Sequence, residues 1–234
     1  MTENTENPEP VQTVPSSEPA KTFTSGDGVF REDRTSLKDR IWDAWRDMRA
    51  STRRMIAENP SEARLLFFVL MSDLILFLSF AVKTVVSPNS VMSSILPDNV
   101  ALLLVVALLF RTISVYVFAL VVSLILRLFG GTGTFRATRI GIFWGTFVAA
   151  PFELFSAVIT FFMARLEGVM PFLSGDMISL APLWIGLLPY VWFVSAGATE
   201  AHGFKKVFPL FISMSILSII SIIGMMILRA RGVI

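Results

Sequence analysis

Five long apolar stretches are the feature of this chain that most restricts its fold. They cover about residues 65–82, 100–126, 140–162, 178–198 and 207–228. A helix needs about 20 mostly apolar residues to cross the hydrocarbon core of a bilayer. Only 16% of the residues are charged and the mean hydropathy is +0.68, whereas a soluble domain carries about 25% charged residues. The sequence therefore predicts an all-α polytopic membrane protein, a bundle of about five transmembrane helices.

The first 34 residues have a different composition. Residues 1–30 contain five acids and four prolines against a single lysine. A signal peptide needs a basic start and an apolar core, and this segment has neither. We expect residues 1–34 to form a disordered acidic tail that is either simply solvated or binds a partner.

Residues 35–58 predict a juxtamembrane amphipathic helix on the cytoplasmic side. Ser36 and Asp39 fit a capping box at its start. An apolar stripe follows at three- and four-residue steps: Ile41, Trp45, Met48, Thr52 and Met55. Basic side chains surround this stripe, so the helix either lies flat on an anionic leaflet or packs on its own domain or a sister subunit. Three acids weaken the lipid alternative: Asp39, Asp43 and Asp47.

The membrane domain is predicted over residues 59–234. Asn59 is expected to be the N-cap of the first span, with Pro60 at the first helical position and Glu62 at the third. Pro151 and Pro189 lie well inside later spans. We expect each of them to kink its helix, because proline removes a backbone hydrogen bond.

Three charged residues interrupt the apolar spans: Asp73, Arg111 and Glu153. Charges in a membrane usually face the bundle interior and pair with one another, so they predict either a structural ion pair or a path for protons, ions or a polar substrate. At about 1.5 Å per residue, counted from the nearest flanking arginine, Arg111, Glu153 and Asp73 lie roughly 24, 21 and 14 Å deep. These depths predict that Arg111 pairs with Glu153.

Two polar turns are expected to share one side of the membrane. The first turn follows the second span and is rich in glycine and arginine: Gly130, Gly131, Gly133, Phe135, Arg136 and Arg139. The second precedes the last span: Glu200, His202, Lys205 and Lys206. Their basic residues predict a cytoplasmic location, which places the N-terminus in the cytoplasm and the C-terminus outside.

The glycine-rich turn does not match a dinucleotide site, because its glycines are spaced GGxG and membrane-length apolar runs flank it. We expect either a tight turn at the membrane surface or a contact site for lipid phosphate or a cytosolic protein. Gly130, Gly131 and Gly133 permit positive φ angles, so the chain can reverse tightly there, and a side chain at Gly131 would be costly if its φ angle is positive. His202 is expected to be a solvated turn histidine.

No catalytic set is visible in the sequence. The chain has no cysteine and one histidine, so we expect no metal site and no cofactor. No serine in the spans has a histidine at a plausible depth, and a Ser-His-Asp arrangement would therefore lack its base. The net charge of +2 gives no reason to expect nucleic-acid binding. The sequence predicts a protein that is not an enzyme.

Three pieces of this chain resemble the Yip1 family of membrane proteins. The run Gly130-Gly131-Thr132-Gly133-Thr134-Phe135-Arg136, followed by Gly145, Pro151 and Leu154, is similar to the family's core signature. Asn59-Pro60-Ser61-Glu62-Ala63-Arg64 resembles the NPxEA start of its bacterial members, and Gly197-Ala198-Thr199-Glu200-Ala201-His202-Gly203 resembles the turn before its last span. The resemblance covers about residues 59–230.

The resemblance implies a non-enzymatic membrane scaffold or adaptor, with a role in membrane organisation or trafficking. The bacterial-type features imply an inner (plasma) membrane location. Eukaryotic members bind small GTPases, so a small GTPase is a partner by family analogy alone. We otherwise expect membrane lipids, a second copy of the chain, or another membrane or cytosolic protein as partners. The alternative is a small transporter or channel that uses Asp73, Arg111 and Glu153.

Overall fold

The structure is a computed structural model that describes residues 24–25, 28–29, 36–86, 100–174, 178 and 181–232. Its elements follow in chain order: β1 Thr24–Ser25, β2 Gly28–Val29, α1 Leu37–Arg46, α2 Met48–Glu58, α3 Glu62–Val86, α4 Val100–Leu128, α5 Phe135–Leu166, a 3-10 turn at Pro171–Ser174, α6 Ala181–Ala201 and α7 Phe208–Ala230. Helices α3 to α7 are long and apolar enough to cross a membrane. The predicted all-α bundle of five spans is confirmed.

The N-terminal tail falls almost entirely outside the described residues. Within it, only the two-residue strands β1 and β2 are described, and they pair with each other in antiparallel register. The disordered acidic tail over residues 1–34 therefore stays a prediction.

The segment predicted as one helix over residues 35–58 is two helices. Asp47 has an extended backbone (φ −144°, ψ 91°), and its carboxylate accepts a hydrogen bond from Ala50 N that caps α2. The local bonding of Asp47 overrides the helical periodicity around it. The predicted cap at Ser36 is confirmed, because its Oγ accepts from Asp39 N at 3.2 Å.

Helices α1 and α2 fold back on each other as a hairpin. Arg54 reaches Asp43 at 3.2 Å, and Arg40 reaches Glu58 at 2.8 Å. We call residues 37–58 the N-terminal hairpin.

Asn59 ends α2 and does not begin α3, which corrects the predicted N-cap. Its backbone is left-handed (φ 46°, ψ 63°), a conformation that asparagine tolerates at a helix C-terminus. Ser61 begins α3 instead: its Oγ accepts from Arg64 N at 3.3 Å, and its carbonyl accepts from Leu65 N at 3.0 Å. Pro60 lies between the two helices.

Helix α5 is the centre of the bundle. Every residue from Ile140 to Ala150 is buried, so protein surrounds this part of the helix on all sides. Beyond Pro151 the helix emerges, and Phe155 and Phe162 are more than half exposed. Both predicted kink prolines, Pro151 and Pro189, lie inside continuous helices.

Helices α4 and α7 form the outside of the bundle. No residue in the apolar window of α7 is buried. Helix α4 buries only one stripe, which includes Val115, Ala119, Val122 and Leu126. Such broad apolar exposure is what a bilayer would cover.

Candidate functional site

The intramembrane charges form two separate ion pairs. Arg111 Nε lies 2.6 Å from Asp73 Oδ1, and the hydroxyl of Thr112 donates to the other carboxylate oxygen at 3.3 Å. The Asp73 side chain is completely buried. The predicted pairing of Arg111 with Glu153 is therefore wrong, and the pair joins α4 to α3.

The depth estimate failed because it treated Arg127 and Arg139 as level with each other. Tyr116 of α4 packs edge-on against Phe143 of α5, with ring centroids 4.8 Å apart. We count residues along each helix from this ring contact toward the glycine-rich turn. By that count, Arg127 on α4 lies about seven residues, or roughly 10 Å, further along than Arg139 on α5. The estimated depth of Arg111 therefore decreases from roughly 24 Å to roughly 14 Å, which is the depth estimated for its actual partner, Asp73.

Glu153 pairs with a lysine that the predicted cluster did not include. Lys83 Nζ, near the end of α3, lies 3.2 Å from Glu153 Oε2. Gly186 of α6 makes room for this carboxylate, because a Cβ at that position would collide with it. Lys83 could have been found from the sequence, as it is the only basic residue described in the second half of the first span.

Two open cavities adjoin Arg111. One, of about 230 Å³, lies between α3 and α4 and includes Asp73 and Phe77 in its lining. The other, of about 250 Å³, lies between α4, α6 and α7 and includes Tyr190 and Ser218. Both linings are mostly apolar, so a polar molecule would meet few hydrogen-bonding groups there.

The two predicted turns interlock at one end of the bundle. Thr132 N donates to His202 O at 3.3 Å. A Cβ on Gly131 would lie 2.6 Å from His202 Nδ1 and 2.8 Å from Leu126 O. A Cβ on Gly133 would collide with Ala201 O. The glycine-rich motif is therefore explained by the close approach of the second turn.

Of the three glycines in the first turn, Gly130 is the one with a positive φ angle. Gly130 has φ +85° and Gly203 has φ +74°, whereas Gly131 is outside that region. Gly130 makes the reversal after α4, and Gly131 is required for space. The reversal that the glycine-rich turn predicted is therefore made at Gly130 and not at Gly131.

His202 is buried, with 2% of its surface exposed, which corrects the expected solvated histidine. Its Nε2 lies 2.8 Å from Thr138 Oγ1, and that hydroxyl donates to Thr134 O at 3.0 Å. The same hydroxyl also lies 3.3 Å from Ser123 Oγ, so several acceptors are within reach of its one proton, and the tautomer of His202 depends on which of them it binds. Nδ1 has no hydrogen-bond partner among the described residues.

Burial lowers the pKa of His202, and the positive charge of Arg127 lowers it further. A neutral histidine suits a pocket enclosed by glycine backbone. Its burial was missed because a lone histidine beside Glu200 in a polar turn has the pattern of a solvated residue.

Glu200 connects the second turn to the N-terminal hairpin. Arg49 Nε and Arg53 Nε lie 2.8 and 2.7 Å from its two carboxylate oxygens. Arg49 also donates to Phe204 O and Lys205 O, each at 2.8 Å. Sequence reasoning missed both arginines, because nothing local indicated which element the hairpin would meet.

The hairpin also packs against the enclosed part of α5. Trp45 Nε1 donates to Val148 O, and Trp144 Nε1 donates to Ser51 Oγ, both at 3.0 Å. Ala44, Met48 and Met55 are buried at this contact. Of the predicted alternatives, packing of the segment on its own domain is therefore confirmed.

Among the remaining residues of the predicted turns, the arginines form hydrogen bonds and the lysines face solvent. Arg139 binds Glu62 through two nitrogens, at 2.7 and 2.9 Å, and its guanidinium lies 5.0 Å from the Phe135 ring centroid. Arg136 donates to Pro60 O at 3.1 Å. Lys205 and Lys206 are exposed.

Metal-binding groups do not cluster in the part of the chain that the structure describes: no three of its histidine, aspartate and glutamate side chains could hold one ion together.

Five membrane-length helices, one of which is the partly enclosed α5, define a polytopic α-helical membrane protein. The Yip1 domain family model matches residues 42–228. The chain therefore belongs to the Yip1 family. The match begins inside the N-terminal hairpin, which extends the resemblance that we placed from residue 59. No curated protein and no solved structure matches the chain.

Proposed function

We propose that this protein is a non-enzymatic membrane scaffold or adaptor. The surface that would bind a partner is the cap, which we define as the N-terminal hairpin together with residues 129–139 and 199–206. The two salt bridges on Glu200 carry the proposal, because they tie the hairpin to the turn before the last span. A surface fixed in this way loses little conformational entropy when a partner binds.

The charge of the cap supports a cytoplasmic partner. Five basic residues belong to the turns on this side: Arg127, Arg136, Arg139, Lys205 and Lys206. The opposite ends of the described spans carry Lys83, Arg165, Arg229 and Arg231, of which only Lys83 and Arg165 adjoin loops between spans. By the positive-inside rule we place the cap in the cytoplasm. The resemblance of residues 59–64 to bacterial members supports a bacterial inner membrane.

The partner of an adaptor of this kind is a cytosolic or membrane protein, or a second copy of the chain. Lys205 and Lys206 are exposed beside the fixed turn, so an acidic surface would complement them. A small GTPase remains a candidate by family analogy alone.

A photo-cross-linking residue placed at Lys206 in native membranes tests the proposal. We expect a protein adduct of defined mass that is lost when Lys205→Glu is added. The matched control is the same residue at Ile216, an exposed position on α7, where we expect only lipid adducts. Equal protein adducts at both positions, or none at Lys206, would contradict the adaptor.

A transporter or channel is the second candidate, because Arg111 lies between two cavities. The discriminating experiment measures ion and proton flux in proteoliposomes, with wild-type protein and with Arg111→Leu. A flux that is abolished by the substitution in folded protein would favour transport. We expect no flux in either case.

A further inference from the structure

We propose that helix α1 anchors the N-terminal hairpin in the interfacial region of the bilayer, through an exposed face centred on Trp42 and directed at an anionic leaflet. This inference is independent of the adaptor function. It concerns the lipid contact of a face that the packing of the hairpin leaves open.

The exposed face of α1 is made of two adjacent stripes. Leu37, Ile41 and Trp45 recur at four-residue steps along one of them, and Lys38, Trp42 and Arg46 along the other. Residues four apart are neighbours on a helix surface. Trp42 is 54% exposed, and Leu37 and Trp45 are 39% and 36% exposed. Tryptophan beside lysine and arginine is typical of helices that lie in the headgroup region.

This face lies beside the end of the enclosed stretch of α5. Trp45 packs on Phe152 of α5, with ring centroids 5.4 Å apart, and Trp42 lies 5.4 Å from Trp45. Phe152 lies two residues beyond the stretch Ile140–Ala150, where α5 is enclosed by protein. One turn further on, Phe155 is 57% exposed. The tryptophans therefore lie beside the point at which α5 changes from enclosed to exposed.

The charges of α1 also favour lipid. Its acids are all engaged within the hairpin: Asp39 accepts from Ser36 Oγ at 2.7 Å, Asp43 binds Arg54, and Asp47 caps α2. The basic residues of the exposed stripe have no acidic partner among the described residues. The Arg46 guanidinium lies over the Trp42 ring, 6.0 Å from its centroid. Lys38 and Arg46 are thus available to lipid phosphates on either side of Trp42.

Site-directed spin labelling tests the anchor directly, because the chain contains no cysteine. One label is placed at Trp42→Cys and a matched one at Arg54→Cys, on the other helix of the hairpin. The whole chain is reconstituted in vesicles of phosphatidylcholine, alone or in an equal mixture with phosphatidylglycerol. Accessibility is then measured to oxygen, which enters lipid, and to a water-soluble nickel complex.

We expect the label at position 42 to favour oxygen and the label at position 54 to favour the nickel complex. Phosphatidylglycerol should deepen the label at 42, and Lys38→Gln with Arg46→Gln should remove that dependence on lipid charge. Nickel-accessible labels at both positions would overturn the anchor. So would a label at 42 that is immobilised and inaccessible to both reagents, which would indicate a protein interface.

Misfolding can be recognised separately. Arg54 and Trp42 are both exposed, so neither substitution removes a core side chain. Labelled variants that elute and melt as the wild type does are the ones compared. If Trp42→Cys fails this criterion, fluorescence quenching by brominated lipid, compared between wild type and Trp42→Phe, measures the same contact. The anchor is supported if Trp42→Phe removes about as much quenching as one lipid-exposed tryptophan contributes. It is overturned if Trp42→Phe is quenched as much as the wild type.

Discussion

Gly141 of α5 and Gly197 of α6 bring their two helices into backbone contact. A Cβ on either glycine would collide with the carbonyl group of the other. Small residues at such a crossing let helix backbones approach closely, which is how helices associate within a bilayer. This crossing lies in the enclosed part of α5, next to the cap.

We predict that Gly197→Ala destabilises the protein by about 1–3 kcal/mol or more, since overpacking forces the backbones apart. The matched control is Gly224→Ala in α7, where nothing lies within 4 Å of the added Cβ. That change should be neutral or slightly stabilising, because alanine favours the helix. Thermal unfolding in detergent measures both variants, and an equal effect of the two would rule out the close crossing.

The ion pairs predict a selective energetic coupling. Arg111→Leu should cost about 3–5 kcal/mol, because it leaves the buried Asp73 carboxylate without its partner. Asp73→Asn should cost less, because the Arg111 side chain is 37% exposed. The double variant should recover part of that loss. Arg111→Leu combined with Glu153→Gln should instead be additive, since Glu153 binds Lys83. A double-mutant cycle on unfolding free energies checks both combinations. Recovery in the Glu153 combination would reinstate the pairing expected from the sequence.

The spans and the neighbourhood of the turns could be predicted because they depend on local signals. Each of the five apolar runs forms one long helix. The N-cap at Ser36 depends only on residues next to it in the sequence. The side shared by the two turns followed from an antiparallel order of spans. In the structure, Thr132 and His202 are in direct contact.

The pairings could not be predicted, because they depend on how far each helix extends past the membrane surface. A shift of about seven residues on α4 moved Arg111 from one acid to another. The salt bridges from Arg49 and Arg53 to Glu200 join residues about 150 positions apart in the sequence. No local pattern encodes such a contact, and the burial of His202 depends on the same tertiary packing.

The two glycines at the end of α4 should respond differently to substitution. Gly130 needs its left-handed backbone but has open space, so Gly130→Asn should cost less than about 1 kcal/mol. Gly131→Ala should cost about 1–3 kcal/mol, because its Cβ would press on His202 and Leu126. Yields of folded protein and melting temperatures give the order. A larger effect at Gly130 would contradict this division of roles.

Membrane topology is a further prediction, based on the odd number of spans and the basic cap. A reporter fused before residue 1 should be active in the cytoplasm, and one fused after residue 234 should be active outside. A third fusion in the loop after α3 should match the C-terminal one, because that loop lies one span from the cap. Termini on the same side would mean that one of the five helices does not cross the membrane.

The neutral state of His202 predicts acid sensitivity with a defined sign. Burial and Arg127 lower its pKa in the folded protein, whereas the unfolded chain keeps a pKa of about 6.5. Below about pH 6.5 the unfolded chain therefore binds more protons, so stability falls as the pH decreases toward the native pKa. It is fully retained above about pH 6.5, and the slope is at most about 1.4 kcal/mol per pH unit. Melting temperatures of wild type and His202→Gln, compared between about pH 7.5 and about pH 5.5, isolate this contribution. Glutamine can still form a hydrogen bond with Thr138 but does not titrate, so the melting temperature of this variant should fall less on acidification. Identical falls in the two proteins would show that His202 is not held neutral by the interlocked turns.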